Sequence, residues 1–391
     1  MERGRGAVAQ PFATAGGMKI LVTGHLGYIG SVLEPLLLRA GHEVFGLDSG
    51  LFRASRFQEW RSGVPCWAVD VRDVRPEHLR DAEAVVHLAG FSNDPLGDLA
   101  PEVTHQVNHA ASSRLASLAR DAGVRRFVFA STCSVYGAAG DTAVDELSAT
   151  RPVTPYAAAK LAAERDIRAL QGEHFETVCL RFATAYGDSP MLRFDLVANN
   201  LTAWALTTRQ VRLKSDGKAW RPLVHVAAIA EAIACALRED RDLISGEIVN
   251  IGDPRGNHRV IDIASAVARA VPEAELGFAE GASADRRSYR VNFDKMAQVL
   301  PSFHYRWRLD EMICRMRDAM LDRGVSVEDF EGPRFARLAQ LQRLVRAGLV
   351  DETCRYRSAA PPGQPAWPGR QQADFAEGEA ARSTEATPES A

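Results

Sequence analysis

The stretch Lys19-Ile20-Leu21-Val22-Thr23-Gly24-His25-Leu26-Gly27-Tyr28-Ile29-Gly30 decides how the rest of this chain is read. Four residues of strand character, 19–22, run into three glycines and then into an apolar helical run over 32–38. Strand, glycine turn and helix in that order form the setting in which a loop can cradle phosphate. Gly24 allows a tight turn out of the strand, and Gly27 lets backbone approach a diphosphate unobstructed. Gly30 permits close packing of the helix, whose N-terminus offers unpaired N–H groups to an anion. His25, inside the turn, is expected to be exposed and not catalytic. A second strand, 42–47, ends in Asp48, where a carboxylate accepts hydrogen bonds from adenosine ribose hydroxyls and repels a 2′-phosphate. A dinucleotide site selective for NAD is therefore expected.

Outward from this loop, the chain continues to alternate. Short apolar strands are expected at 20–22, 44–47, 65–69, 84–88, 126–129 and 177–181, with helices between most of them, including 100–122 and 155–170. That pattern predicts an α/β fold: a doubly wound parallel sheet with helices on both faces. Residues 18–183 would form this Rossmann domain, and 184–307 a smaller α/β lobe with some elements returning to the main sheet. In that lobe, helices are expected at 194–207, 227–237 and 260–270, and strands at 211–213, 223–226 and 247–251. Residues 308–357 read as a helical extension. Its Arg-rich part, 326–357, carries one apolar stripe, Phe335, Leu338, Leu341, Val345 and Leu349, expected to dock on the core. The first 17 residues and 358–391 read as a disordered leader and tail.

Composition sets the outer limits. Of 391 residues, 46% are hydrophobic and 25% charged, with a formal net charge of -3. No basic excess points to nucleic acid, and no apolar run approaches the roughly 18 residues of a membrane helix. Six scattered cysteines without a C-x-x-C pair suggest reduced thiols of a cytoplasmic protein, with neither a disulfide frame nor a metal site.

Chemistry gathers at two further places. Strand 126–129 leads into Ser131-Thr132-Cys133-Ser134, so hydroxyls and a thiol lie at its C-terminal end, which faces the ligand crevice in a doubly wound sheet. Some 20 residues later comes Tyr156-Ala157-Ala158-Ala159-Lys160, whose i, i+4 spacing puts phenol and ammonium on one helix face. An adjacent ammonium favours the phenolate. Such a tyrosine can take the proton of a sugar hydroxyl while hydride leaves the same carbon.

With these residues in place, the chain resembles the extended short-chain dehydrogenases/reductases, the nucleotide-sugar epimerase/dehydratase family. The motifs are T-G-H-L-G-Y-I-G (23–30), D-V-R-D (70–73), H-L-A-G (87–90), S-T-C-S-V-Y-G (131–137) and Y-A-A-A-K (156–160), and the likeness runs from 18 to about 307. The resemblance implies that Gly24, Gly27, Tyr28, Ile29 and Gly30 hold the cofactor. It implies that Asp70 and Val71 flank the adenine, that Leu88 and Ala89 line the nicotinamide side, and that Asn108 braces the sheet nearby. Lys160 would also bond the nicotinamide ribose.

For the second lobe, the resemblance implies a nucleotide-diphosphate sugar held by Thr184, by Asn200 and Leu201 of an N-N-L motif, by Arg221, and by Arg287. It also implies a homodimer pairing 100–122 and 155–170 across a two-fold axis. Both carboxylates of the 4,6-dehydratases are missing at Thr132-Cys133-Ser134, which leaves the epimerase pattern closest. Tyr156 would be the acid/base, assisted by Thr132 and Ser131. The alternatives are a dehydratase or other multistep enzyme using Cys133 or Asp94, and a non-catalytic NAD-binding module.

Overall fold

The computed structural model describes residues 16–92, 100–283, 288–332 and 334–357. Its centre is a seven-stranded sheet built from β1 (Lys19–Thr23), β2 (Glu43–Asp48), β3 (Cys66–Ala68), β4 (Ala84–His87), β5 (Arg126–Thr132) and two later strands, Glu176–Phe182 and Glu247–Ile251. The order across the sheet is β3, β2, β1, β4, β5, Glu176–Phe182, Glu247–Ile251. All six pairings are parallel. β5 and Glu176–Phe182 are buried along their whole length, as strands covered on both faces must be. The strand order reverses between β1 and β4, and a doubly wound sheet opens its ligand crevice at such a switch point.

The last strand of this sheet comes from the second half of the chain, and a helix that precedes it, Val226–Ala236, packs against α1 (Gly30–Arg39). One hydrophobic cluster accordingly runs from Ile20 and Leu33 through Ile229 and Val249 to Ile313. The remaining elements include a three-stranded sheet of Asn257–Arg259, Trp220–His225 and Thr184–Tyr186. Helix Leu309–Arg323 packs on helices Val197–Thr208 and Val260–Ala270, with Met312 and Ile313 in the shared core.

Three local expectations need correction. The region 100–122 is not one uniform helix: Pro101–His105 and Ala111–Asp121 flank a π turn, Gln106–Ala110. A π turn inserts one residue into a helix and re-aims its side chains, and this one carries Asn108. Within 326–357, helix is confined to Val327–Glu331 and Arg337–Arg346, followed by a turn closed by a bridge between Val350 and Tyr356. The stripe there is rotated from the expected one. Phe335 and Leu341 are buried, but Val345 and Leu349 are 38% and 50% exposed, and Arg337, Gln340 and Leu344 take the inner face. Leu341, Leu344 and Val350 dock on the cluster that includes Leu47, Trp67 and Leu79.

His25 is not exposed. It is 0% accessible, and its ring lies against Gly46, where any β-carbon on β2 would collide with the imidazole. The missing side chain on β2 is what lets the ring fold inward. The Leu47 backbone is the one hydrogen-bonding group near the ring among the described residues. Burial drives its pKa down to about 3, the Leu47 backbone offsetting part of that. His87, bonded to Thr23 at 2.6 Å and Ser112 at 2.8 Å, is likewise lowered to about 3, by burial and then by the Lys160 charge.

Both rings are held neutral, so between about pH 6.5 and 3 the unfolded chain binds more protons than the folded one. Stability present above pH 6.5 is then lost on acidification, by ~1.4 kcal/mol per pH unit for each ring. His225, lowered to about 4 by burial, adds to the same trend. The urea midpoint is expected to fall between pH 7 and pH 5, and to fall less in His87→Gln, which removes one of these titrations.

Candidate active site

The glycine turn is shaped by contact with β4. Gly24 has φ +71°, and a β-carbon there would lie 2.7 Å from the Ala89 nitrogen and 2.9 Å from the Leu88 carbonyl carbon. Positive φ and that approach both demand glycine. Gly24 N–H donates to the Leu47 carbonyl at 2.7 Å and Gly27 N–H to Gly24 at 3.0 Å, closing the loop over the ends of β1 and β2. Gly30 faces the His25 backbone, so it packs the helix against its own loop. Tyr28 is buried, and its hydroxyl donates to the Gly187 carbonyl at 2.7 Å, clasping the loop to the second half of the chain.

A crevice opens along this edge of the sheet. Its lining includes Gly24, Gly27, Tyr28, Ile29, Gly30, Asp48, Asp70, Val71, Leu88 and Ala89, ten of the residues expected to hold a cofactor. The Asp48 carboxylate accepts from Gly50 N–H at 2.8 Å and Leu26 N–H at 3.2 Å. Burial nevertheless raises its pKa. Burial also works against ionised Asp70, but two-pronged bonding from Arg72 (2.9 and 2.7 Å) outweighs it and lowers that carboxyl. The cradle fits a dinucleotide in two respects: side-chain-free backbone lines one flank, and carboxylates stand at the ends of the second and third strands.

Asn108, Tyr156, Lys160 and Thr132 lie outside this lining, and Asn108 and Lys160 meet it at Gly90. A β-carbon on Gly90 would meet the Asn108 side chain at 2.8 Å and the Lys160 ammonium at 3.6 Å. Asn108 bonds the Phe91 N–H at 2.8 Å and carbonyl at 2.7 Å, pinning the loop after β4. Tyr156 and Lys160 share one face of helix Pro155–Ala169, capped by the Thr154 hydroxyl. Lys160 is 4% exposed, donates to the Ala130 carbonyl at 2.9 Å, and stands 4.6 Å from the Phe129 ring centre. Burial pulls its pKa down to about 8, opposed by Glu164. Tyr156 is half-buried and interacts electrostatically with Arg193. Thr132 accepts from Ser134 N–H at 3.1 Å, which leaves its own proton to donate.

Two residues of the expected catalytic group face elsewhere. Ser131 donates its proton to Glu164, whose carboxylate holds Arg181 at 2.7 and 2.9 Å. Cys133 is 0% exposed, with Sγ 3.2 Å from the Arg181 carbonyl, and burial raises its pKa far above the ordinary thiol range. Arg181 also reaches the Tyr136 hydroxyl at 2.9 Å, which bonds Asn250 at 2.8 Å. Successive side chains of an extended strand point to opposite faces, so a run of hydroxyls at a strand end cannot all reach one ligand. Glu164 was missed, although Tyr156, Lys160 and Glu164 are spaced four apart on one face.

In the second lobe, Thr184 starts strand Thr184–Tyr186 and is half-buried. Asn200 donates to the Phe194 carbonyl at 2.9 Å, Leu201 is buried, and Arg221 donates to the Trp220 carbonyl at 2.9 Å. Asp94 and Arg287 lie outside the described residues. Two arginines of the crevice, Arg193 and Arg337, were not foreseen. Arg193 grips Asp195 (2.6 and 3.0 Å) and Ser92 (2.8 Å).

The buried network makes a contrast measurable by urea denaturation. Glu164→Gln strips the counter-charge from Arg181, where the pair is 3% and 1% exposed, and is expected to cost about 3–5 kcal/mol. Cys133→Ala, which only shortens a packed side chain, is expected to cost about 1–2 kcal/mol.

Comparisons with known proteins agree with this geometry. The UDP-glucose 4-epimerase of Azospirillum brasilense is 31% identical over 262 residues, 62% of this chain and 75% of that protein. The solved structure of MoeE5 in complex with UDP-glucuronic acid and NAD is 28% identical, with a TM-score of 0.68, and the match covers 78% of this chain and all of that one. The UDP-glucose 4-epimerase of Thermus thermophilus, solved as a complex with NAD, is 25% identical at a TM-score of 0.64, over 78% of this chain and 99% of that one. The profile of the NAD dependent epimerase/dehydratase family matches residues 20–252. That match spans more than half of the sequence and takes in the glycine turn and the Tyr156–Lys160 helix, and this chain belongs to the NAD-dependent epimerase/dehydratase family.

Proposed function

We propose that this protein is an NAD-dependent nucleotide-sugar epimerase, which oxidises one sugar hydroxyl, at C4, to a ketone and reduces it again from the opposite face. One observation carries the reading. Tyr156 and Lys160 share a helix face at the end of β5, while Thr132-Cys133-Ser134 offers no carboxylate for expelling water. The Cys133 thiol, wholly buried against Arg181, is a poor substitute.

Bound NAD supplies the chemistry of accepting a hydride from the sugar carbon and giving it back. The residues of this chain manage the proton. Tyr156 takes it from the hydroxyl and later returns it. The Lys160 ammonium, charged in most molecules at pH 7 even with its pKa lowered to about 8, favours the phenolate, and the charge of Arg193 acts in the same direction. Thr132 donates a hydrogen bond to the reacting oxygen. Gly24, Gly27, Tyr28, Ile29, Gly30, Asp48, Asp70, Val71, Leu88 and Ala89 hold the dinucleotide, with Asn108 fixing the loop beside it.

Thr184, Asn200, Leu201 and Arg221 are the candidates for holding the diphosphate of the sugar nucleotide, together with Arg287, which lies outside the described residues. Relatives named UDP-glucose and UDP-glucuronate 4-epimerases support a uridine-diphosphate sugar. A cytoplasmic setting is supported by six unpaired thiols. Among the described residues, no helix is long and apolar enough to cross a membrane. A homodimer would pair the helices over 101–121 and 155–169, whose outer side carries His109 and Ser113 bonded to Asp166.

Incubation with a panel of nucleotide sugars, followed by NMR and mass spectrometry, tests the reading. Epimerisation conserves mass, a loss of water would point to a dehydratase, and no turnover across the panel would leave a cofactor-binding module. Tyr156→Phe is expected to lower turnover by roughly 10²–10⁴-fold while the protein still binds NAD. Full activity in that variant would remove Tyr156 from the mechanism.

A further inference from the structure

The C-terminal segment reaches back over the crevice. Arg334 donates to the carbonyls of Ala54 and Arg56 at 3.4 and 3.3 Å, and Tyr356 to that of Gly50 at 3.3 Å. Arg72, the partner of Asp70, donates to the Thr353 carbonyl at 2.8 Å, and Arg355 pairs with Asp73. The segment is thus tied to both loops that carry the ribose-side and adenine-side carboxylates, Asp48 and Asp70. From it Arg337 enters the crevice and lines it together with Gly27, Tyr28 and Arg193.

Arg337 is costly where it stands. It is 7% exposed, its guanidinium stacks 4.4 Å from the Phe52 ring centre, and its buried Nη1 has no hydrogen-bond partner among the described residues. Burial and the like charge of Arg193 pull its pKa down to about 10, with Asp195 and Asp48 opposing. Even so it stays protonated at neutral pH. A buried cation with an open donor, beside a second cation in the same cavity, calls for a hydrogen-bonded anion that the more distant charges of Asp195 and Asp48 do not supply. Arg193 is already committed to Asp195 and Ser92, so the open donor belongs to Arg337. The anionic part of a dinucleotide bound along the glycine loop is its diphosphate.

We propose that Arg337 is a cofactor-binding residue, delivered by the C-terminal segment, whose guanidinium hydrogen-bonds the diphosphate of the bound dinucleotide. The inference rests on the assignment of the crevice to NAD. The family profile ends at residue 252 and therefore assigns no role to Arg337.

The test uses the full chain freed of cofactor and titrates it with NADH, ADP and adenosine, with melting temperature as a second readout. Arg337→Met keeps an apolar stem on Phe52 and removes the charge. It should weaken NADH and ADP binding at least about tenfold, the scale of a charge-assisted hydrogen bond, and leave adenosine within about twofold. It should not lower the melting temperature of the cofactor-free protein, because a buried charge without its anion is relieved, while the rise produced by NADH shrinks. Arg337→Lys, which retains charge without the planar fork, should lose part of the NADH affinity and tests the inference if the methionine variant does not fold. NADH and ADP bound as tightly as by wild type would overturn the inference, as would an equal loss of adenosine. A wild-type chain that binds none of the three would instead overturn the assignment of the crevice.

Discussion

The constraint on which the crevice depends is the approach between Gly24 and the backbone that leaves β4. Any side chain at position 24 would press into the Leu88–Ala89 backbone, and the positive φ there would resist it as well. Because β1 and β4 are neighbours at the point where strand order reverses, that approach sets the depth of the crevice and turns the glycine loop over it. The same loop admits the His25 ring against Gly46 and sends the Tyr28 hydroxyl to Gly187. One turn therefore meets the end of β4, the second strand and, through Tyr28, the backbone at Gly187.

A second level of organisation lies beneath β5. The Tyr156 helix is fastened by charge, with Lys160 on the Ala130 carbonyl and Glu164 on Ser131 and Arg181. Arg181 passes the connection to Tyr136 and Asn250, and so to the edge strand Glu247–Ile251. A buried ion pair satisfied on every side adds little net stability but tolerates no partial removal. Its effect is to fix where the helix that carries Tyr156 stands relative to β5.

What could be read from the sequence was what local pattern encodes. The glycine turn, Asp48, the hydroxyl-ended strand and the Tyr156–Lys160 spacing are each set by a dozen residues or fewer, and the alternation of strands and helices carried the sheet. The edge strand 247–251 was legible too, although its return to the main sheet was only one option. Burial and direction of side chains were less accessible. His25 reads as a polar residue in a turn until Gly46 provides the space, and Ser131 and Thr132 look alike until the pleat separates them. Arg193 and Arg337 lie 145 and more positions beyond Asp48 and carry no motif, so only the folded chain brings them to the crevice.

The bonds from Arg72 to Thr353, from Arg355 to Asp73 and from Tyr356 to Gly50 join positions 281 to 306 apart. Closing so long a span demands that the intervening sheet and lobe already stand. During synthesis the glycine loop and β1 to β5 emerge early, whereas the clasp beside Asp48 and Asp70 must wait for the last of these residues to clear the ribosome. The order of assembly built into this chain is therefore groove first and cover last, and the nascent protein passes through a stage in which its nucleotide groove stands open along one side.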